Sequence, residues 1–189
     1  LERVLKRHIL HPCLFLLYVA LAACTAPPVV QQDSVDRLAS AILALDPQVD
    51  PMEASRFARI SFAHAQELAL AYEITDPPLV HNTKVNMGLK PRGLCWHWAE
   101  DMEKRLRAEK FRTLDIHRAI ANADNALRID HSTALVSARG QPMQSGIVLD
   151  PWRRGGRLFW SPMQEDKSYK WQPQHEVLAR RFPLTPIPE

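Results

Sequence analysis

The apolar residues of this chain change their period once, near Lys110, and that change limits the folds open to it. Before Lys110 they recur every three or four positions, the repeat of a helix with one buried face. After it they alternate in short runs between turn residues, the repeat of half-buried strands. Helices first and strands afterwards, in 189 residues, predict an α+β domain: N-terminal helices, one bearing a cysteine, packed on a small antiparallel sheet.

The helical half has clear punctuation. Asp33 or Ser34 can cap a helix running to about Leu45, with Val35, Leu38, Ile42 and Leu45 on one side. Asp46-Pro47 breaks it. Asp50-Pro51-Met52-Glu53 restarts it, with Asp50 at the N-cap, Pro51 at the first helical position and Glu53 closing a capping box. That helix extends to about Ile74 over a stripe of Phe57, Ile60, His64, Leu68 and Ala71. His64 fits there as a partly buried structural histidine. Thr75 to Gly93 reads as a long connection, and such connections often carry function. A third helix starts at Cys95, with Cys95, Ala99, Met102 and Leu106 on one face.

The strand half predicts strands over 111–120, 129–138, 146–150 and 158–160, and a short helix over 175–181. The basic turn Trp152-Arg153-Arg154-Gly155-Gly156-Arg157 reads as a solvated loop, with the binding of an acidic group as the alternative. Ser161 to Pro173 reads as loop.

Residues 1–24 have the layout of a signal segment: Arg3, Lys6 and Arg7, then an apolar run ending in Leu21-Ala22-Ala23-Cys24. The run is too short for a comfortable membrane span. Its end resembles the bacterial lipobox. The resemblance implies lipidation at Cys24, a tether over 25–32, and one domain over 33–189 anchored to a membrane and facing the periplasm. Thr25 after the cysteine implies the outer membrane; a plain secretory signal is the alternative. The chain's charge of +3 sits mostly in that leader, so it gives no argument for nucleic acid as a partner. With Cys13 removed and Cys24 blocked, Cys95 would be a lone thiol in an oxidising compartment.

Cys95 follows a loop punctuated by Pro91 and Gly93 and falls in the first turn of its helix. Free backbone N–H groups and the positive end of the helix dipole favour a thiolate at that place. His97, two residues on, points elsewhere. Better placed is His131, early in one strand, with Asp150 at the end of the next. A hairpin brings those ends together, so the carboxylate can fix the imidazole tautomer and leave the second nitrogen for a nucleophile. His117 is a rival base without so good a carboxylate. His81, Asn82 and Asn86, upstream of Cys95, are candidates to hold an oxyanion. Trp96 and Trp98 either pack or wall a cleft, and Trp152 is a further candidate for that wall. No paired-cysteine metal site or glycine-rich phosphate loop is present in the sequence, and neither metal nor cofactor is expected.

Cys95 opening a helix, His131 on a strand and Asp150 on the following strand resemble the transglutaminase-like branch of the papain-like cysteine enzymes. Murein-peptide hydrolases share the Cys-then-His plan, and Asp150 as third member fits the transglutaminase-like branch better. Leu94-Cys95-Trp96-His97 departs from the branch's usual acidic or small residues after the cysteine, which leaves the substrate type open. The resemblance implies acyl transfer on a protein or peptidoglycan peptide amide, as a hydrolase or an acyltransferase. The alternative is a non-catalytic lipoprotein using the same fold as a binding module. Oligomeric state is not readable from the sequence.

Overall fold

A computed structural model describes residues 32–183. The signal segment, Cys24, most of the 25–32 tether and the last residues of the chain lie outside the described residues. Among those described are five α-helices and one five-stranded sheet: α1 (Gln32–Leu43), α2 (Pro51–Ala71), α3 (Pro78–Asn86), α4 (Cys95–Ala108), β1 (Leu114–Ala121), β2 (His131–Ala138), β3 (Ile147–Asp150), β4 (Phe159–Pro162), β5 (Gln172–Pro173) and α5 (Gln174–Arg181). The fold is α+β, as the change of period requires. No helix among the described residues is long and apolar enough to cross a membrane.

Helix α1 buries Val35, Leu38 and Ile42, as expected, and packs against α2. It begins at Gln32, ahead of the expected caps. Helix α2 starts where Asp50 predicts: its carboxylate accepts from the N–H groups of Met52 and Glu53 at 2.7 and 3.0 Å. The capping box does not close. Glu53 instead reaches forward to the entry of β1, accepting from the N–H groups of Arg112 (2.9 Å) and Thr113 (2.8 Å) and from the Thr113 hydroxyl (2.7 Å). Thr113 Oγ1 in turn accepts from the Asp50 N–H, which a closed capping box would have used. The start of α2 is thereby tied to the start of the sheet. The buried side of α2 is turned from the expected stripe: Ala54, Phe57, Ala58, Ser61, Ala65 and Leu68 are inside, while Ile60 and His64 are half-buried and Ala71 is exposed.

The expected long connection before Cys95 contains a helix, α3. Pro78 at its first position supplies a preset φ. Only His81 of α3 is buried, so the segment has no apolar stripe for periodicity to register.

The strands run in the order β4-β3-β2-β1-β5, each pair antiparallel. Strand β5 falls in the segment read as loop and pairs with only Ala119 and Ile120 of β1. Strand β2 is central and buried along its whole length. Alternation gives it two inner faces. Leu135 joins Ala119, Ala121, Met143, Val148 and Trp171 on one face; α4 packs on the other. Leu114 pairs with Ala138 and Ala121 with His131, so β2 begins at the end of the sheet where α4 begins. Ala134 pairs with Leu149, and this register sets Asp150 opposite Thr133. Residues 131 and 133 share a face, so Asp150 lies diagonally across from His131 on the same face.

Candidate active site

Cys95 is the first residue of α4, half-buried at the end of the sheet. Three buried ring systems hold the loop in front of it. The His81 Nε2–H donates to the Arg92 carbonyl at 2.8 Å. His97 Nδ1 accepts from the N–H groups of Gly93 and Leu94, both at 3.2 Å. The Trp98 indole donates to the Gly93 carbonyl at 2.9 Å. Gly93 is required between them: its φ is +125°, and a Cβ there would lie 2.4 Å from His81 Nε2. Burial first, then the nearby Arg92 charge, lowers the His97 pKa. The ring is thus neutral, as an acceptor of two N–H groups must be. The N–H groups of Cys95 and Trp96, at the helix start, have no preceding turn to supply intrahelical acceptors.

The other two candidate residues meet as expected. His131 Nε2–H donates to Asp150 Oδ2 at 2.6 Å. Both residues are deeply buried, 3% and 1% exposed. His131 Nδ1 faces no hydrogen-bond partner among the described residues. Cys95 is near enough to act on the ring: burial pushes the His131 pKa down, but the Asp150 hydrogen bond, the Cys95 sulfur and their charges more than reverse this, to about 9. The Cys95 thiol itself donates to the carbonyl of Asp130, the residue before His131, at 3.6 Å. Trp152, Tyr169 and Trp171 surround the imidazole with ring centroids at 4.7, 4.5 and 5.4 Å. Electron-rich rings around an imidazolium add to the preference for the charged form.

A cavity of about 470 Å³ opens beside the thiol, lined by Cys95, Trp96, Ile120, Ser132, Arg118 and Leu178 among others. Trp96 is 46% exposed and forms part of its wall. Trp98 is not a cleft residue: it is 1% exposed and packs edge-on against Tyr72 at 4.8 Å. Trp152 covers His131 and donates its indole N–H to Asn82 Oδ1 at 3.0 Å. The three oxyanion candidates do not line this cavity. His81 is locked under the Arg92 carbonyl, Asn82 is engaged with Trp152, and Asn86 is exposed at the end of α3. His81 positions the loop and Asn82 the aromatic wall; the helix-start N–H groups are the donors beside the sulfur. His117, the rival base, is bonded through Nε2 to Ser137 Oγ at 2.8 Å. His64 pairs with Glu67 at 2.9 Å.

Two further residues belong to the site: the alternative reading of the basic turn, binding of an acidic group, holds for Arg153, and Asp166 was not singled out from the sequence. Arg153, from the turn read as solvated, donates Nε–H to Asp150 Oδ2 at 3.0 Å and its backbone N–H to Asp150 Oδ1 at 3.1 Å. Its remaining nitrogens grip Asp166 at 3.2 and 2.8 Å. Asp166 also accepts from the Trp171 indole at 3.0 Å. No local signal marks this pair, since Asp166 lies in the segment read as loop. Among the described residues, no group of three or more His, Cys, Asp or Glu is arranged to hold a metal ion.

Compared with protein-family models, with curated proteins and with solved structures, the chain matches none.

Proposed function

We propose that this chain is a cysteine acyl-transfer enzyme, a transglutaminase-like peptidase or amidase of the bacterial cell envelope. The observation that carries the reading is the buried His131–Asp150 pair, whose second imidazole nitrogen has no hydrogen-bond partner among the described residues, with Cys95, at the first position of a helix, near enough to act on the ring. In that arrangement the Cys95 sulfur adds to an amide carbonyl and its proton resides on His131 Nδ1. The backbone N–H groups of Cys95 and Trp96 face the developing oxyanion. His131 gives its proton to the leaving amine, which departs and leaves a thioester on Cys95. Water, or a second amine, then attacks the thioester as His131 takes its proton, and the free thiol returns. Asp150 accepts the Nε2–H throughout, holding the ring and stabilising its charged form.

The substrate of this reading is a protein or peptidoglycan peptide amide. The envelope setting rests on the lipobox-like end of residues 1–24. Palmitate labelling of cells expressing wild type and Cys24→Ser checks it; equal labelling of the two would contradict lipidation at Cys24. One observation favours the competing reading, a binding module on the same fold: the Cys95 thiol is bonded to the Asp130 carbonyl and not to His131. A panel of peptide amides and murein peptides, incubated with wild type and Cys95→Ala, separates the two. Turnover lost in Cys95→Ala, with its fold kept, supports the enzyme. Equal turnover in both proteins removes Cys95 from the chemistry.

A further inference from the structure

Asp150 does not meet His131 alone, and the torsion that turns a carboxylate about its last bond is soft. Left to itself, Asp150 would not hold one oxygen on the imidazole. Three hydrogen bonds fix it: one from His131, one from the Arg153 side chain and one from the Arg153 backbone. Arg153 is fixed in turn. Its guanidinium lies 3.9 Å from the centre of the Phe159 ring and 4.8 Å from that of Tyr169, and its outer edge is bidentate to Asp166. Tyr169 also packs on His131. The result is a line of ion pairs from Asp166 through Arg153 and Asp150 to His131. Arg128 over Tyr169 at 5.9 Å is the further cation near the ring stack.

Resting on the acyl-transfer reading above, we propose that Arg153, anchored by Asp166, is a positioning residue of the Cys95 site: it orients the Asp150 carboxylate so that His131 presents Nδ1 to the thiol. The chemistry requires a fork. One edge of the guanidinium serves Asp150 and the other serves Asp166, a task that a lysine's single ammonium cannot reproduce. The turn supplies the rest of the geometry. Pro151 and the tight turn over Trp152–Arg154 bring the Arg153 N–H straight back onto the Asp150 side chain.

The test reads His131 directly and needs no substrate. In imidazole-labelled protein, NMR follows the His131 Nε2–H resonance and the ring's titration in wild type, Arg153→Lys and Asp166→Asn, with circular dichroism confirming the fold. Cys95 alkylation by iodoacetamide is measured alongside. The expected result in wild type is a far-downfield, slowly exchanging Nε2–H. Arg153→Lys keeps the charge but loses that resonance, its titration midpoint falls by roughly one pH unit, and alkylation slows roughly tenfold. Asp166→Asn, which leaves Arg153 in place, moves all three in the same direction by less, and it decides the matter if Arg153→Lys does not fold. An unchanged His131 resonance and titration in a folded variant overturns the proposal. If the resonance follows Arg153 while alkylation ignores His131→Ala, the brace stands and the acyl-transfer reading falls.

Discussion

Replacing Asp150 with asparagine tests how the site stores its proton. Asp150 is 1% exposed and bonds His131 at 2.6 Å, while Arg153 holds its other side. In the folded protein His131 keeps its proton to about pH 9, against an ordinary value of 6.5. At about 1.4 kcal/mol per pH unit, that difference is worth roughly 3 kcal/mol. Because the folded value is the higher one, this stability is fully present below pH 6.5. It is lost as pH rises through about 9. Asp150→Asn removes the principal charge behind it and leaves Arg153 facing a neutral amide. Unfolding in guanidinium, measured at pH 6, 8 and 10, checks the argument. The variant is expected to be about 3–5 kcal/mol less stable at pH 6, with the gap to wild type narrowing by pH 10. A gap that stays constant across this range would mean that His131 holds its proton without Asp150.

Turnover of any amide substrate is expected to fall as pH rises through about 9, where His131 loses the proton the leaving amine needs; a rate still rising at pH 10 would exclude His131 as the acid. Glu53→Gln is expected to cost about 1–3 kcal/mol, since it turns a buried acceptor of three hydrogen bonds into a weaker one. Burial resists the Glu53 charge, but the hydrogen bonds from Arg112 and Thr113 hold its carboxyl below the usual range. Wild-type stability from this group is therefore present above about pH 4.5 and lost below it, and acid titration of the unfolding midpoint should show a step that the variant lacks. Gly93→Ala adds a methyl at φ +125° against His81. It should lower thermal stability by about 1–3 kcal/mol and slow Cys95 alkylation; a variant as stable as wild type would mean the loop is not held as described.

The sequence carried the parts of this site that local periodicity can carry. Ala99, Met102 and Leu106 are buried as their spacing demands, and that spacing, with the breakers Pro91 and Gly93 just before it, puts Cys95 at the start of α4. Alternation and turn residues placed β2 and β3, and their antiparallel pairing brings His131 to Asp150. Contacts between distant segments were not legible. Arg153 stands in a run of basic residues that reads as solvent-facing, and only the loop bearing Asp166 makes it an interior ion pair. Helix α3 was hidden because its one inward residue, His81, is polar. For Trp98 the sequence leaves wall and core open, because large aromatic surface serves either equally well; burial against Tyr72 decides for the core. The role of His97 was the nearest to legible. A side chain three residues past an N-cap can return to the cap's N–H, but the pattern is written with Glu or Gln, and imidazole does it here.

On the acyl-transfer reading, Cys95, His131 and Asp150 act as one unit. The most direct measurement is the rate of Cys95 alkylation by iodoacetamide at pH 7 in wild type, His131→Ala and Asp150→Asn, each confirmed as folded. Wild type should react roughly tenfold or more faster than His131→Ala, with Asp150→Asn in between. Equal rates in all three would show a passive thiol, and the acyl-transfer reading would give way to the binding module.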